Sequence, residues 1–209
     1  MVGRGGRRDI DTGYPTMSFN GLFRSIVLAM AALALIFVTA GPMPAEAQMK
    51  ADPESLIYLE LKDGRVVIQL RPDLAPGHVA RIKELVREGF YDGLKFHRVI
   101  DGFMAQTGDP RGDGTGGSKK PDLKAEFNAE PHSRGAVSMA RTSDPNSANS
   151  QFFIVFQDSR FLDRQYTVWG RVIAGMEFVD KIKRGAGQSG AVRDPDSIVR
   201  MRVAADVKE

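Results

Sequence analysis

From residue 56 the chain alternates apolar and polar positions with a period of two. Leu56 to Leu61 and Val66 to Leu70 read as strands, joined by Lys62-Asp63-Gly64-Arg65, whose Asp-Gly pair favours a hairpin turn. Pro72 and Pro76 break that pattern. From His78 to Glu88 the period lengthens to that of a helix, with Val79, Ile82, Leu85 and Val86 on one face and Gly89 to end it. Phe96 to Gln106 reads as a strand broken at Asp101-Gly102, and Gly108 to Lys120 as a long, polar, flexible loop. Gly135 to Ala140 and Gln151 to Phe156 read as strands around the loop Thr142 to Asn149, followed by a strand from Tyr166 to Val172. Gly175 to Ile182 reads as a second helix closed by Gly185. Ile198 to Ala204 is the last strand, with Ile198, Arg200 and Arg202 on one parity and Val199, Met201 and Val203 on the other. Many short strands with two helices predict a mainly β fold, a closed antiparallel barrel with a helix at each end. No repeat or linker divides it.

The N-terminus has a different pattern. Ile26 to Val38 is an unbroken apolar run of 13 residues, preceded by Arg24 and ended by Gly41-Pro42. Ala45-Glu46-Ala47 follows, a small-x-small site before Gln48. This is the layout of a secretory signal peptide, and the run is short of the about 20 residues a membrane span needs. The expectation is a leader over 1–47, cleaved after Ala47, ahead of one domain over 48–209. The alternative is an uncleaved anchor, the only part of the chain that would then touch a membrane. Met17 offers a second start with a compact n-region from Met17 to Arg24, and Arg7-Arg8 lies too far from the apolar run to act as a twin-arginine signal.

Composition narrows the partners. Of 209 residues, 42% are hydrophobic, enough for a packed core, and the net charge of +3 argues against nucleic acid. There is no cysteine, so disulfides and thiolate metal sites are excluded, and His78, His97 and His132 are too scattered for a ligand pattern. Gly112-x-Gly114-x-x-Gly117 matches a dinucleotide-binding pattern in letters only, because Pro121 and Lys119-Lys120 disfavour the helix it must open. Ser133 or Ser138 with a histidine and an aspartate raises a hydrolase reading, but no Gly-x-Ser-x-Gly elbow is present. His97, beside Arg98, is read as structural support.

The candidate chemistry lies in two segments. In Phe96 to Gln106, Arg98, Met104 and Gln106 share one parity, which puts a cation and an amide beside apolar groups. That combination suits a ligand that is greasy on one side and carries a peptide group on the other. Ser150 to Ile154 adds a second amide and two phenylalanines, of which Phe152 has the opposite parity to Gln151 and Phe153. Phe96, Phe152 and Ile154 are expected to point into the barrel.

In order and spacing these segments resemble the active-site signature of the cyclophilin-type peptidyl-prolyl isomerases, and the resemblance runs from Ser55 to about Val207. It implies an eight-stranded barrel capped by two helices and a cofactor-free enzyme that accelerates X-Pro isomerisation. Rotation about an amide costs about 18–20 kcal/mol, and ahead of proline exchange takes tens to hundreds of seconds. A catalyst must bind the twisted amide better than either planar form, and a guanidinium aimed at its pyramidal nitrogen does so. The resemblance assigns that donor to Arg98, with Gln106 holding it. It assigns the proline pocket to Phe103, Met104, Phe153 and Leu162, and the adjoining groove to Ala140 and Gln151. Arg141 stands where the family uses backbone to hold the peptide. Phe161 and Tyr166 stand where many eukaryotic members carry tryptophan and histidine; the phenylalanine implies weak cyclosporin binding and, with the leader, similarity to bacterial periplasmic cyclophilins. The expected partners are proline-containing polypeptides, unfolded or extracytoplasmic, acted on by a monomer in the periplasm or outside the cell. The alternatives are a non-catalytic proline-peptide-binding chaperone or scaffold, and, fitting poorly, a lipocalin-like barrel.

Overall fold

The computed structural model describes residues 52–208. The leader, its cleavage point and both candidate starts lie outside the described residues. Eight strands form one antiparallel sheet, with edges β3 and β8 and the order β3-β4-β6-β5-β7-β2-β1-β8. They are β1 (Leu56–Leu61), β2 (Gly64–Leu70), β3 (Arg98–Ile100), β4 (Met104–Thr107), β5 (Ala136–Met139), β6 (Phe152–Val155), β7 (Val168–Ala174) and β8 (Arg200–Val203). The sheet curls until the segments ahead of its two edges meet, where Lys95 and Ser197 form a single bridge. Among the described residues no helix is long and apolar enough to cross a membrane.

Local chemistry explains the pieces. In β1, Ile57, Leu59 and Leu61 are buried while Leu56, Tyr58 and Glu60 are partly exposed, the alternation of a strand with one face on the core. Pairing of Leu61 with Gly64 tightens the hairpin to Lys62-Asp63, so β2 starts two residues earlier than its apolar pattern suggests. Helix α1 (Pro76–Arg87) opens on a proline, whose missing N–H costs nothing in the first turn, and buries His78, Val79, Ile82, Leu85 and Val86 against β7 and β8.

Two predicted elements change. Helix α2 spans only Met176–Val179, after which Lys181 and Ile182 donate three residues back to Phe178 and Val179. Val179 and Ile182 are both buried, and a spacing of three serves a tight turn as well as an α-helix, so the apolar pattern overstated its length. The last strand begins at Arg200, and Ile198 is fully buried while Val199 is 59% exposed, out of phase with Met201 and Val203. Ile198 is held from the other side, by its N–H to Leu94 O and its carbonyl to Gly93 N, so the strand parity does not extend back to it.

The three histidines are buried, and burial pulls each imidazole below its ordinary range, against the opposing pull of Glu126 on His78, Asp109 on His97 and Asp163 on His132. An unfolded chain therefore takes up these protons at a higher pH than the folded one. Stability is complete above about pH 6.5 and falls as pH drops below it, by up to about 1.4 kcal/mol per unit for each histidine. Urea midpoints measured at pH 7.5 and 5.5 should differ accordingly, and equal midpoints would refute this assignment.

Candidate active site

The broken motif becomes a hairpin. Arg98 lies opposite Gln106, Val99 opposite Ala105 and Ile100 opposite Met104. Opposed residues of an antiparallel ladder share a face, so Arg98, Ile100, Met104 and Gln106 stand on one side while Val99 and Ala105 enter the core. On the next strand Phe153 lies opposite Gln106 and Val155 opposite Met104, which extends that outer face across β6.

The outer face carries its own small apolar cluster, separate from the main core. Met104, Ala136, Phe153, Val155 and Leu162 are buried in it. A one-turn 3-10 segment, Arg160–Leu162, sinks Leu162 and leaves Phe161 66% exposed at the rim, its ring 5.4 Å from that of Phe103. Tyr166 meets Phe153 edge-on at 5.8 Å. Phe103, Met104, Phe153, Phe161, Leu162 and Tyr166 line a cleft of about 570 Å³ that takes in ten of the eleven residues named from the sequence. Gln151 lines the adjoining cleft of about 370 Å³, which shares Gln106, Ala140 and Arg141 with the first.

A polar chain runs along the boundary. Arg98 Nη1 donates to Gln106 Oε1 at 3.1 Å, Gln106 Nε2 to Gln151 Oε1 at 2.9 Å, and Gln151 Nε2 to the carbonyls of Gly114 and Gly116 at 3.0 and 2.8 Å. Arg98 Nε donates to Ser189 O at 3.1 Å. Two of the three guanidinium nitrogens are thus held by the protein, while Nη2 has no partner among the described residues. Arg141 is folded away: its head donates to Gln165 O and Thr142 O and lies 4.6 Å above the Tyr166 ring.

Several contributors had no signal in the sequence. Ser189 acts through its carbonyl from 91 positions away, on a loop that Gly190 brings close to β3. Gly190 has φ +70°, and a Cβ there would lie 2.4 Å from Ile100. The Gly-rich loop, read above as flexible, is tethered. The Asp109 carboxylate, itself 1% exposed, accepts N–H bonds from Arg111, Asp113 and Gly114 at 2.8, 3.1 and 2.6 Å. Burial pushes the Asp109 pKa up, but these backbone donors outweigh it and hold the pKa below the usual range. His97 lines the edge of the larger cleft, with both ring nitrogens buried and without a hydrogen-bond partner among the described residues, rather than lying wholly behind it.

An apolar pocket beside one tethered guanidinium donor has the groups needed to hold a peptide group and donate to it, as a peptide-bond isomerase requires. The chain belongs to the cyclophilin family: the sequence model for "Cyclophilin type peptidyl-prolyl cis-trans isomerase/CLD" matches residues 56–203. A probable peptidyl-prolyl cis-trans isomerase of Brucella suis is 54% identical over 192 residues, covering 86% of this chain and 97% of the relative. Peptidyl-prolyl cis-trans isomerase B of Bacillus subtilis is 44% identical over 131 residues, 61% of this chain and 90% of that one. A cyclophilin crystal structure from Hirschia baltica superposes with a TM-score of 0.68 at 33% identity, covering 76% and 77% of the two chains. A Cryptosporidium parvum cyclophilin crystallised in the presence of the dipeptide Ala-Pro gives 0.66 at 27%, covering 71% and 98%. The protein is a peptidyl-prolyl cis-trans isomerase.

Proposed function

We propose that Arg98 is the donor to the prolyl nitrogen, through Nη2, which has no partner among the described residues, and that Phe103, Met104, Phe153 and Leu162 receive the proline ring. The carrying observation is the position of that nitrogen: its guanidinium is fixed on two sides and lines the apolar pocket. In the planar amide the nitrogen lone pair is delocalised and accepts poorly. In the twisted form it is localised, so the donor stabilises the transition state selectively. The Ala-Pro dipeptide in the Cryptosporidium parvum crystals supports a proline-containing ligand here. The test is the exchange rate of a short Ala-Pro peptide with purified protein, where a large acceleration is expected. A folded protein that leaves the rate unchanged would overturn the assignment.

The clients we infer are exposed X-Pro segments of unfolded extracytoplasmic proteins, met by a monomer in the periplasm or outside the cell. The apolar run and Ala45-Glu46-Ala47 support that compartment. N-terminal sequencing of the native protein should begin at Gln48, and a chain beginning at Met1 or Met17 would sink the cleavage. At the rim, Phe161 presents an apolar face without an indole N–H. Cyclosporin is therefore expected to inhibit weakly and Phe161→Trp to tighten inhibition about tenfold, the yield of one added hydrogen bond. Tight inhibition of the unaltered protein would contradict this.

A further inference from the structure

Beneath the pocket lies a set of groups that the isomerase mechanism does not use. His132 and Ser138 are both fully buried, with His132 Nε2 3.0 Å from Ser138 Oγ and His132 Nδ1 3.1 Å from Asp163 Oδ1. The order is that of a nucleophilic triad, but no substrate can reach the Ser138 hydroxyl, which lies 2.9 Å from the Thr167 carbonyl it can donate to. The hydrolase reading of these residues therefore fails on access, and the arrangement needs another role.

We propose that His132 is a positioning residue of the isomerase, the hub of a buried Ser138–His132–Asp163 chain that holds three walls of the proline pocket in register. The inference rests on the reading of that pocket given above. Each arm of the hub ends on a different wall. Asp163 directly follows the turn carrying Phe161 and Leu162, and its Oδ1 also accepts the His132 backbone N–H at 2.8 Å. Ser138 sits on β5 opposite Phe153 in register, and the imidazole stacks on the Phe153 ring at 6.2 Å and 20°. Thr167 O, the second acceptor for Ser138, follows Tyr166, whose ring meets the imidazole edge-on at 6.5 Å. The His132 carbonyl accepts the Ser159 N–H at 2.8 Å and ties down the start of the same turn.

The proton count makes the hub sensitive to charge. Burial raises the Asp163 pKa, but the His132 N–H, the Arg160 guanidinium and the His132 ring outweigh it and hold it at about 2. Asp163 is therefore ionised near neutrality, and Nδ1 carries the proton that faces it. With the ring neutral, Nε2 is an acceptor, and the single Ser138 proton must choose between it and Thr167 O. With the ring protonated, Nε2–H donates to Ser138, which donates on to Thr167 O, so the hydroxyl reverses. The charged and titratable groups facing the ring are Asp163 and, through it, Arg160 from the turn, and Tyr166 ahead of β7; Ser138 on β5 and Phe153 on β6 add no charge. A cation behind Phe153 favours water over a proline ring in the pocket.

The experiment compares kcat and KM on an Ala-Pro peptide from pH 8 to 5 for native protein, His132→Gln and His132→Leu. Expected for native protein is a several-fold fall in kcat/KM below about pH 6.5, carried by KM. Expected for His132→Gln, which keeps a donor and an acceptor but no titration, is a flat profile. At pH 7.5 His132→Leu should lose about tenfold in kcat/KM, and the glutamine should recover at least half of that loss on a logarithmic scale. A native profile that is already flat, or an acid limb that survives in His132→Gln, overturns the proposal. If the leucine variant does not fold, the profiles of native and His132→Gln decide alone. Native protein inactive at pH 7.5 would instead overturn the isomerase reading, which separates the two failures.

Discussion

Replacing Arg98 with alanine is expected to lower kcat/KM on an Ala-Pro peptide by about 100- to 1,000-fold, the loss seen when one preorganised transition-state donor is removed, worth about 2.7–4 kcal/mol. The fold should survive, because Arg98 is part-exposed on the edge strand β3 and stands on the face opposite Val99 and Ala105, which enter the main core. The loss should fall mainly on kcat, since the planar substrate is held by the apolar pocket and the adjoining cleft, which remain. Arg98→Lys restores the charge but not the fork. A lysine cannot bond Gln106 and Ser189 and still present a third nitrogen in a fixed direction, so it should recover only a small part of the activity. Peptide exchange rates for both variants, with circular dichroism to establish folding, check this. Near-full turnover by Arg98→Ala would falsify the mechanism.

The second large effect separates two adjacent phenylalanines. Phe152→Ala should destabilise the fold by about 3–5 kcal/mol, the range for deleting a buried aromatic ring. Phe152 is fully buried in the main core, 5.5 Å from both Tyr91 and Trp169 in edge-on contacts. Phe153→Ala, one residue on, belongs to the pocket cluster and should lose activity first. Removing its wall costs about 1.5–3 kcal/mol of proline burial, or about 10- to 100-fold in kcat/KM, mostly through KM. Its stability loss should be clearly smaller than that of Phe152→Ala. Urea unfolding beside steady-state kinetics measures both effects, and equal stability losses would show that the two faces of β6 are not distinct.

That contrast was legible beforehand because strand geometry leaves no choice: neighbours in a strand point to opposite faces, so Phe152 and Phe153 cannot share one. The same rule placed Arg98, Met104 and Gln106 together, and it held through the turn because the hairpin pairs Arg98 with Gln106 and Ile100 with Met104. It failed at Ile198 and Val199, ahead of the last strand, where Ile198 is held from Leu94 and Gly93 and only the Val199 N–H reaches β1, at Glu60 O. The length of α2 was overstated for a related reason, since a spacing of three apolar residues does not distinguish an α-helix from a tight turn.

Some of the site was invisible from sequence in principle. Ser189 reaches Arg98 through a carbonyl that every residue possesses, so no side-chain pattern could mark it. The tether at Asp109 depends on the path of the loop, and Asp109 in sequence is one acidic residue among 26. Ser138, His132 and Asp163 could be named as types but not as neighbours, because six and 31 positions separate His132 from its two partners.

By itself, then, the sequence determined the strands, the first helix, the parity of the two site segments and the family whose motifs they match. These follow from the period of side chains along a backbone and from the order of residues, which are local properties. Only the tertiary structure decided which Arg98 nitrogen is left free, how the second apolar cluster separates from the core, and that a buried imidazole joins its walls. Those depend on how a curled sheet brings distant segments within hydrogen-bonding distance, and long-range closure leaves no mark on local pattern.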